Sequence, residues 1–179
     1  ELGVLYQEQK RFADARACLE RAQEQHREMG SRMFQAVALL TLGDLEREEG
    51  RLPEARARYD RALRIARELG DRVLQARCLA SLGGTHASLD RADAARESLQ
   101  DAERLARALG DPSAIRVVDL ERAHLDLREA SQAAARGERE VAATFEQSAR
   151  ERLERARSVG PLPTRPAPDI RLAGFPAPA

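Results

Sequence analysis

Residues Arg32 to Gly70 read RMFQAVALLTLGDLEREEG followed by RLPEARARYDRALRIARELG, and this stretch decides the fold. In its first half Met33, Val37, Leu40 and Leu45 recur at close to every third or fourth residue, the spacing of one helical face. Gly50 ends that pattern, because glycine accepts the left-handed conformation a helix exit needs. Pro53 stands where a first-turn proline is tolerated, so a second helix starts near Leu52. That helix carries Ala55, Tyr59, Ala62, Leu63, Ala66 and Leu69 and ends at Gly70. The unit recurs in both directions. Gly3, Gly43 and Gly83 are 40 residues apart, as are Ala15, Ala55 and Ala95, Ala22, Ala62 and Ala102, and Gly30, Gly70 and Gly110. A fixed period of this size marks a solenoid. Its loops are short, so successive helices are antiparallel neighbours. The expected fold class is all-α, an α-solenoid of helix pairs.

The pattern places a partial first unit at the start, then units at about 31–70, 71–110 and 111–158. Turns are expected near Arg11, Gly30, Gly50, Gly70, Asp90, Gly110 and Gly137. At the junctions Ser31, Asp71 and Asp111 follow a glycine, and each can accept a hydrogen bond from an orphan helix amide. The period slips in the fourth unit. Gly137 resembles Gly50 at an offset of 87, and Ala142 and Ala149 match Ala55 and Ala62 on the same offset. The first helix of that unit is therefore lengthened by seven residues (87 − 80). Residues 159–179 hold six of the eight prolines and read as an extended or disordered tail or linker that adds nothing to array stability. Pro163 and Pro166 within it form a Pro-x-x-Pro that serves either as a docking peptide or as part of a plain spacer.

Thirty basic residues balance thirty acidic ones, which gives no electrostatic reason to expect nucleic acid or an anionic membrane as partner. Aromatic residues are 3% and tryptophan is absent, so leucine and alanine must fill the core. No apolar run approaches the ~18 residues that span a bilayer. Cys18 and Cys78 occupy unrelated repeat positions, which suits reduced thiols in a cytoplasmic protein better than a disulfide. The opening residues ELGVLYQEQ match the second half of a helix seen whole later, so the chain is expected to begin inside a repeat of a larger protein.

Leu42-Gly43, Gly50, Ala55, Tyr59, Ala62 and Gly70-Asp71 together resemble the tetratricopeptide repeat, in a long 40-residue form similar to those of the bacterial maltose-regulon activator and kinesin light chains. The resemblance covers about residues 1–130 well and 131–158 loosely. It implies a right-handed superhelix with the first helix of each unit on the concave side, and a binding function toward protein or peptide segments. Leu2, Leu42 and Leu82 give way to Arg122, so the last unit departs from the pattern. The lysine and asparagine of the chaperone-tail-binding subgroup are missing from the concave positions, and that activity is not carried over.

On the family's geometry the concave side shows Leu40, Asp44, Arg47 and Glu48 from unit two. Unit three contributes Ala80, Gly84, Ala87 and Ser88, and unit four contributes Leu120, His124, Leu127 and Arg128. The small middle row either floors a depression that receives a partner's apolar side chain or simply tightens helix packing. His86 lies one repeat after Glu46 and one before Asp126. Such a line could hold a metal or orient a base, but no second histidine or cysteine joins it at ligand spacing, so a polar rung between helices is expected. No phosphate-cradling loop or nucleophile motif appears, and neither catalytic residue, cofactor nor metal is expected. Glu54–Arg58, Asp60–Arg64 and Glu103–Arg107 are expected as i,i+4 pairs on a solvated outer face. The sequence thus reads as a non-catalytic scaffold, a fragment of a larger bacterial signalling or regulatory protein. The alternative is a sensory module in which a small effector or signalling peptide changes array curvature.

Overall fold

The computed structural model describes residues 2–158 as seven helices: α1 (Leu2–Glu28), α2 (Arg32–Glu48), α3 (Leu52–Glu68), α4 (Arg72–Ser88), α5 (Ala92–Leu109), α6 (Pro112–Ala135) and α7 (Arg139–Ser158). The expectations for the tail fall outside the described residues. Each helix packs on the next, and α4 also packs on α6 and, more lightly, on α2, so first helices adjoin from unit to unit.

The turn expected near Arg11 is absent: α1 runs through it without a break. The reason is local. Position 10, one period before Gly50, is lysine, and position 13, one period before Pro53, is alanine. Neither stops a helix. The later turns are present. Gly30, Gly50, Gly70, Gly110 and Gly137 all have positive φ, and Asp90 takes the same conformation at φ 56°. At five of these six turns a pair of backbone bonds closes the helix exit, as where Gly50 N donates to Arg47 O and Arg51 N to Glu46 O. Asp71 Oδ1 accepts from Leu74 N at 2.9 Å and Asp111 Oδ1 from Ala114 N at 2.7 Å, as expected of caps. Ser31 makes no side-chain cap bond. Helix α6 has 24 residues against 17 in α2 and α4, the seven-residue extension read from the offset.

Small residues set the packing. Within units two and three, a glycine of the first helix receives a large side chain of the second. Tyr59 from α3 lies against Gly43, where an added Cβ would sit 2.6 Å from the ring. Leu99 from α5 lies against Gly83 in the same way. The core around Tyr59 joins Leu39, Leu40, Ala62, Leu74, Leu82 and Val118, and Leu99 packs in a second cluster with Ala87, Ala95 and Leu125. Fully burying one such leucine contributes ~1.5–3 kcal/mol. The fourth unit is held differently. Ala123 replaces the glycine, and two buried carboxylates of α6 reach across to α7. Asp126 accepts from Ser148 at 2.8 Å and Arg152 at 3.1 Å, and Asp119 accepts from Arg155 at 3.1 Å.

The expected outer-face pairs are only partly realised. Glu103 and Arg107 pair as expected. Asp60 instead lies 3.9 Å from Arg56, and Arg58 turns inward to Glu46 at 3.3 Å. A buried carboxylate with an unmet oxygen attracts a guanidinium more strongly than an exposed one does.

Candidate functional site

The first helices α2, α4 and α6 carry the residues expected to face a partner. Leu40, Ala80, Gly84 and Ala87 are buried. Glu48, Ser88, Leu120, His124, Leu127 and Arg128 are exposed, and Asp44 and Arg47 are half-buried. The unit-four row is therefore accessible, the unit-two row is open only at Glu48 and in part at Asp44 and Arg47, and the expected depression between them is filled. Ala87 packs with Ala95, Leu99 and Leu125. Over Gly84, Arg47 Nη1 of α2 donates to Glu121 Oε1 of α6 at 2.6 Å. This bond spans the whole of unit three. A Cβ at Gly84 would lie 2.7 Å from Arg47 Nη1 and would intrude on the Glu121 carboxylate. Glycine at this position is what lets the two neighbours meet.

The clasp belongs to a larger polar group. Tyr59, wholly buried, donates its hydroxyl to Asp44 Oδ1 at 2.8 Å. Burial raises the Asp44 carboxyl pKa, against the Tyr59 hydrogen bond and the charges of Arg47 and Arg77. Burial and the Asp44 carboxylate raise the Tyr59 pKa, so the phenol stays a neutral donor. Burial also acts to raise the Glu121 pKa, but His124 and Arg47 outweigh it and hold the carboxyl below its ordinary value. His124 Nδ1 stands 3.8 Å from Glu121 Oε2, an ion-pair distance too long for a hydrogen bond. Glu121 raises the imidazole pKa in return. The signs give a pH window. A raised histidine contributes stability fully below its ordinary 6.5 and loses it as pH rises through the folded value. A lowered glutamate contributes fully above its ordinary 4.5 and loses it as pH falls through the folded value. The group is tightest between about 4.5 and about 6.5. An NMR titration is expected to place His124 above 6.5, and Glu121→Gln to bring it back toward that value. An unchanged titration in the variant would show that Glu121 is not its partner.

Glu46, His86 and Asp126 do not form a rung. Glu46 pairs with Arg58 of α3, Asp126 with Ser148 and Arg152 of α7, and His86 lies near Arg56 and Arg91. Burial, with those two guanidiniums, lowers the His86 pKa. Glu46 and Asp126 are each claimed by the helix that follows their own, the nearer source of a donor, whereas His86 Nδ1 is buried with no hydrogen-bond partner among the described residues. Cys18 is exposed and Cys78 is buried, with burial pushing the Cys78 thiol up to about 12. Among the described residues no group of three or more histidines, cysteines or carboxylates is placed to hold a metal. None of the described helices is long and apolar enough to cross a membrane.

A family model for the tetratricopeptide repeat matches residues 1–67 and 34–108, together 108 of the 179 residues. The chain belongs to the tetratricopeptide repeat family. No curated protein matches it. Tetratricopeptide repeats generally mediate protein–protein interaction and are typically non-enzymatic scaffolds. The matched segments stop before α6, where the glycine–large-residue joint gives way to carboxylate–arginine contacts. Sequence reading missed Arg77 and Glu121 of the polar group, and the exposed Phe34 and Val73. Met33 and Val73 share a repeat position and are both exposed, a signal that the 40-residue register alone could have supplied.

Proposed function

We propose that this tetratricopeptide array is a non-catalytic scaffold that binds a protein segment along its first helices. The observation that carries the reading is where apolar side chains stand free. Of ten exposed large hydrophobic residues among those described, six lie on first helices: Met33, Phe34, Val37, Val73, Leu120 and Leu127. A run of apolar residues exposed on successive elements marks an interaction surface more than scattered ones do. Leu120 and Leu127, 37% and 44% exposed, are seven residues apart and share one face of α6, with His124 between them. Glu48, Arg77 and Arg128 supply charge at the margins. The partner this suits is an amphipathic segment with apolar anchors and charged flanks; no nucleic acid or membrane is needed to satisfy the surface. We place the array within a larger bacterial regulator, as its interaction module.

A photo-crosslinking side chain at position 127 or 73 is expected to trap the partner, and one at Glu97 is not. Leu120→Glu with Leu127→Glu is expected to abolish capture, since an anchor in such a surface carries ~2 kcal/mol or more. Thermal unfolding should stay cooperative, because both side chains already have more than a third of their surface in water. Trapping from Glu97 alone would move the site to the second helices.

A further inference from the structure

Three ion pairs fasten unit four to unit three. Arg122 Nε of α6 stands 3.2 Å from Glu103 Oε2 of α5. Arg96 Nε of α5 donates to Glu129 Oε1 of α6 at 2.9 Å. Arg128 Nη2 of α6 donates at 2.5 Å to Asp90 Oδ1, in the turn between α4 and α5. Among the described residues no ion pair joins unit two to unit three.

The repeat itself supplies a comparison. One period back, Leu63 and Leu82 stand where Glu103 and Arg122 stand, and both leucines are buried in the main core. Arg56 and Leu89 stand for Arg96 and Glu129, and Gly50 and Ser88 for Asp90 and Arg128. At each of the three places a position without opposite charges has become an acid facing a base. At the first, both partners have changed. The seam keeps some apolar contact, since Ala114 and Val118 of α6 share a core with Ala102 and Ala106 of α5, and Leu125 shares one with Leu99.

The two kinds of seam respond differently to displacement. Packed apolar atoms forfeit a quarter to a half of their attraction over a gap of about 0.5–1 Å. Charges on long side chains attract as the inverse of distance and can follow a shifting partner. We propose that the seam between units three and four is a salt-sensitive hinge on which the α6–α7 hairpin moves as one body. Ions reach this seam, because the side chains of Arg96 and Asp90 are 52% and 71% exposed. The ties inside the hairpin are better enclosed: Asp119 and Asp126, which hold Arg155 and Arg152, are 7% and 11% exposed. Screening therefore loosens the seam before it loosens the hairpin. Leu120 and Leu127 ride on α6, so the hinge sets their distance from Val37 and Val73. That consequence rests on the first-helix reading of the partner surface; the hinge does not, and its test uses no partner.

The test is hydrogen exchange of the full chain, read by mass spectrometry at about 0.01 M and about 1 M sodium chloride, between which the screening length falls from ~30 Å to ~3 Å. Exchange in α6 and α7 is expected to quicken about fivefold, while that in α3 and α4 stays level. Glu103→Leu, Arg122→Leu, Arg128→Ser and Glu129→Leu together rebuild the seam of one period back on these positions, and are expected to abolish the salt response. Glu103→Gln keeps the side chain's shape and removes one charge. It is expected to quicken exchange in α6 and α7 at low salt and to shrink the salt response, whereas a purely structural loss would leave that response at full size. This single variant decides alone if the fourfold one does not fold. The inference is overturned if salt acts equally on α3 and α4, or if Glu103→Gln leaves the response undiminished. It is overturned too if the folded fourfold variant keeps the response, which would place the effect in the Asp119 and Asp126 pairs within the hairpin.

Discussion

Gly83→Leu is expected to lower the stability of the array by about 3 kcal/mol, at the upper end of what overpacking costs. The first added atom is already too close. A Cβ at position 83 falls 2.5 Å from Leu99 Cγ and 3.4 Å from the Ala95 carbonyl oxygen. Leu99 is fully buried and cannot swing its branch point aside without moving α5. Separating α4 from α5 would also loosen Ala87, Ala95 and Leu125 around the same contact. A paired substitution isolates the cause. Leu99→Ala alone should cost about 2–5 kcal/mol through the cavity it leaves. Gly83→Ala fills part of that space, so the Gly83→Ala/Leu99→Ala double variant should lose less than the sum of its singles by at least ~1 kcal/mol. Urea midpoints of the four proteins decide it. Simple additivity would show that the glycine serves backbone conformation and not close approach. Ala87→Glu belongs to the same neighbourhood: a charge placed against Leu99 and Leu125 acts on the fold before it acts on any partner.

What could be read from the sequence was whatever repeats. Gly43 and Gly83 announce close helix contact because the same residue returns at the same register. The seven-residue insertion in α6 was legible because Gly137, Ala142 and Ala149 shift together. Helix α1 was misread where the register was trusted over the residue, since Lys10 and Ala13 lack the means to stop a helix. The inner face was hardest. Ala80, Gly84 and Ala87 are small, and small residues suggested a hollow. Protein interiors close on such space where neighbours can reach it. Arg47 and Glu121 did so, and they are 74 residues apart, neither one period nor one helical turn. Nothing in either residue's local sequence announces the other.

Glu121→Ala is expected to cost about 2 kcal/mol and to let units two and four spread. Removing one member of a fully buried ion pair costs ~3–5 kcal/mol, because the other charge is left desolvated. Here the Glu121 side chain is 10% exposed but Arg47 is 31% exposed, so water screens the orphan and the penalty shrinks. Arg47→Met should behave as the mirror case, leaving Glu121 with only the longer contact to His124. The informative variant is the double one. Arg47→Met with Glu121→Met removes both charges and keeps bulk over Gly84, and apolar replacement of a buried pair is often neutral or stabilising. Its urea midpoint should therefore exceed that of either single variant. Small-angle scattering should separate stability from shape: the single variants are expected to have a larger radius of gyration than the wild type, and the double variant an intermediate one. If both singles cost under ~0.5 kcal/mol and the double equals their sum, the pair is incidental. The spacing of Val37, Val73 and Leu120 would then be set by helix packing alone, and the partner-binding surface would keep its geometry without any contact across Gly84.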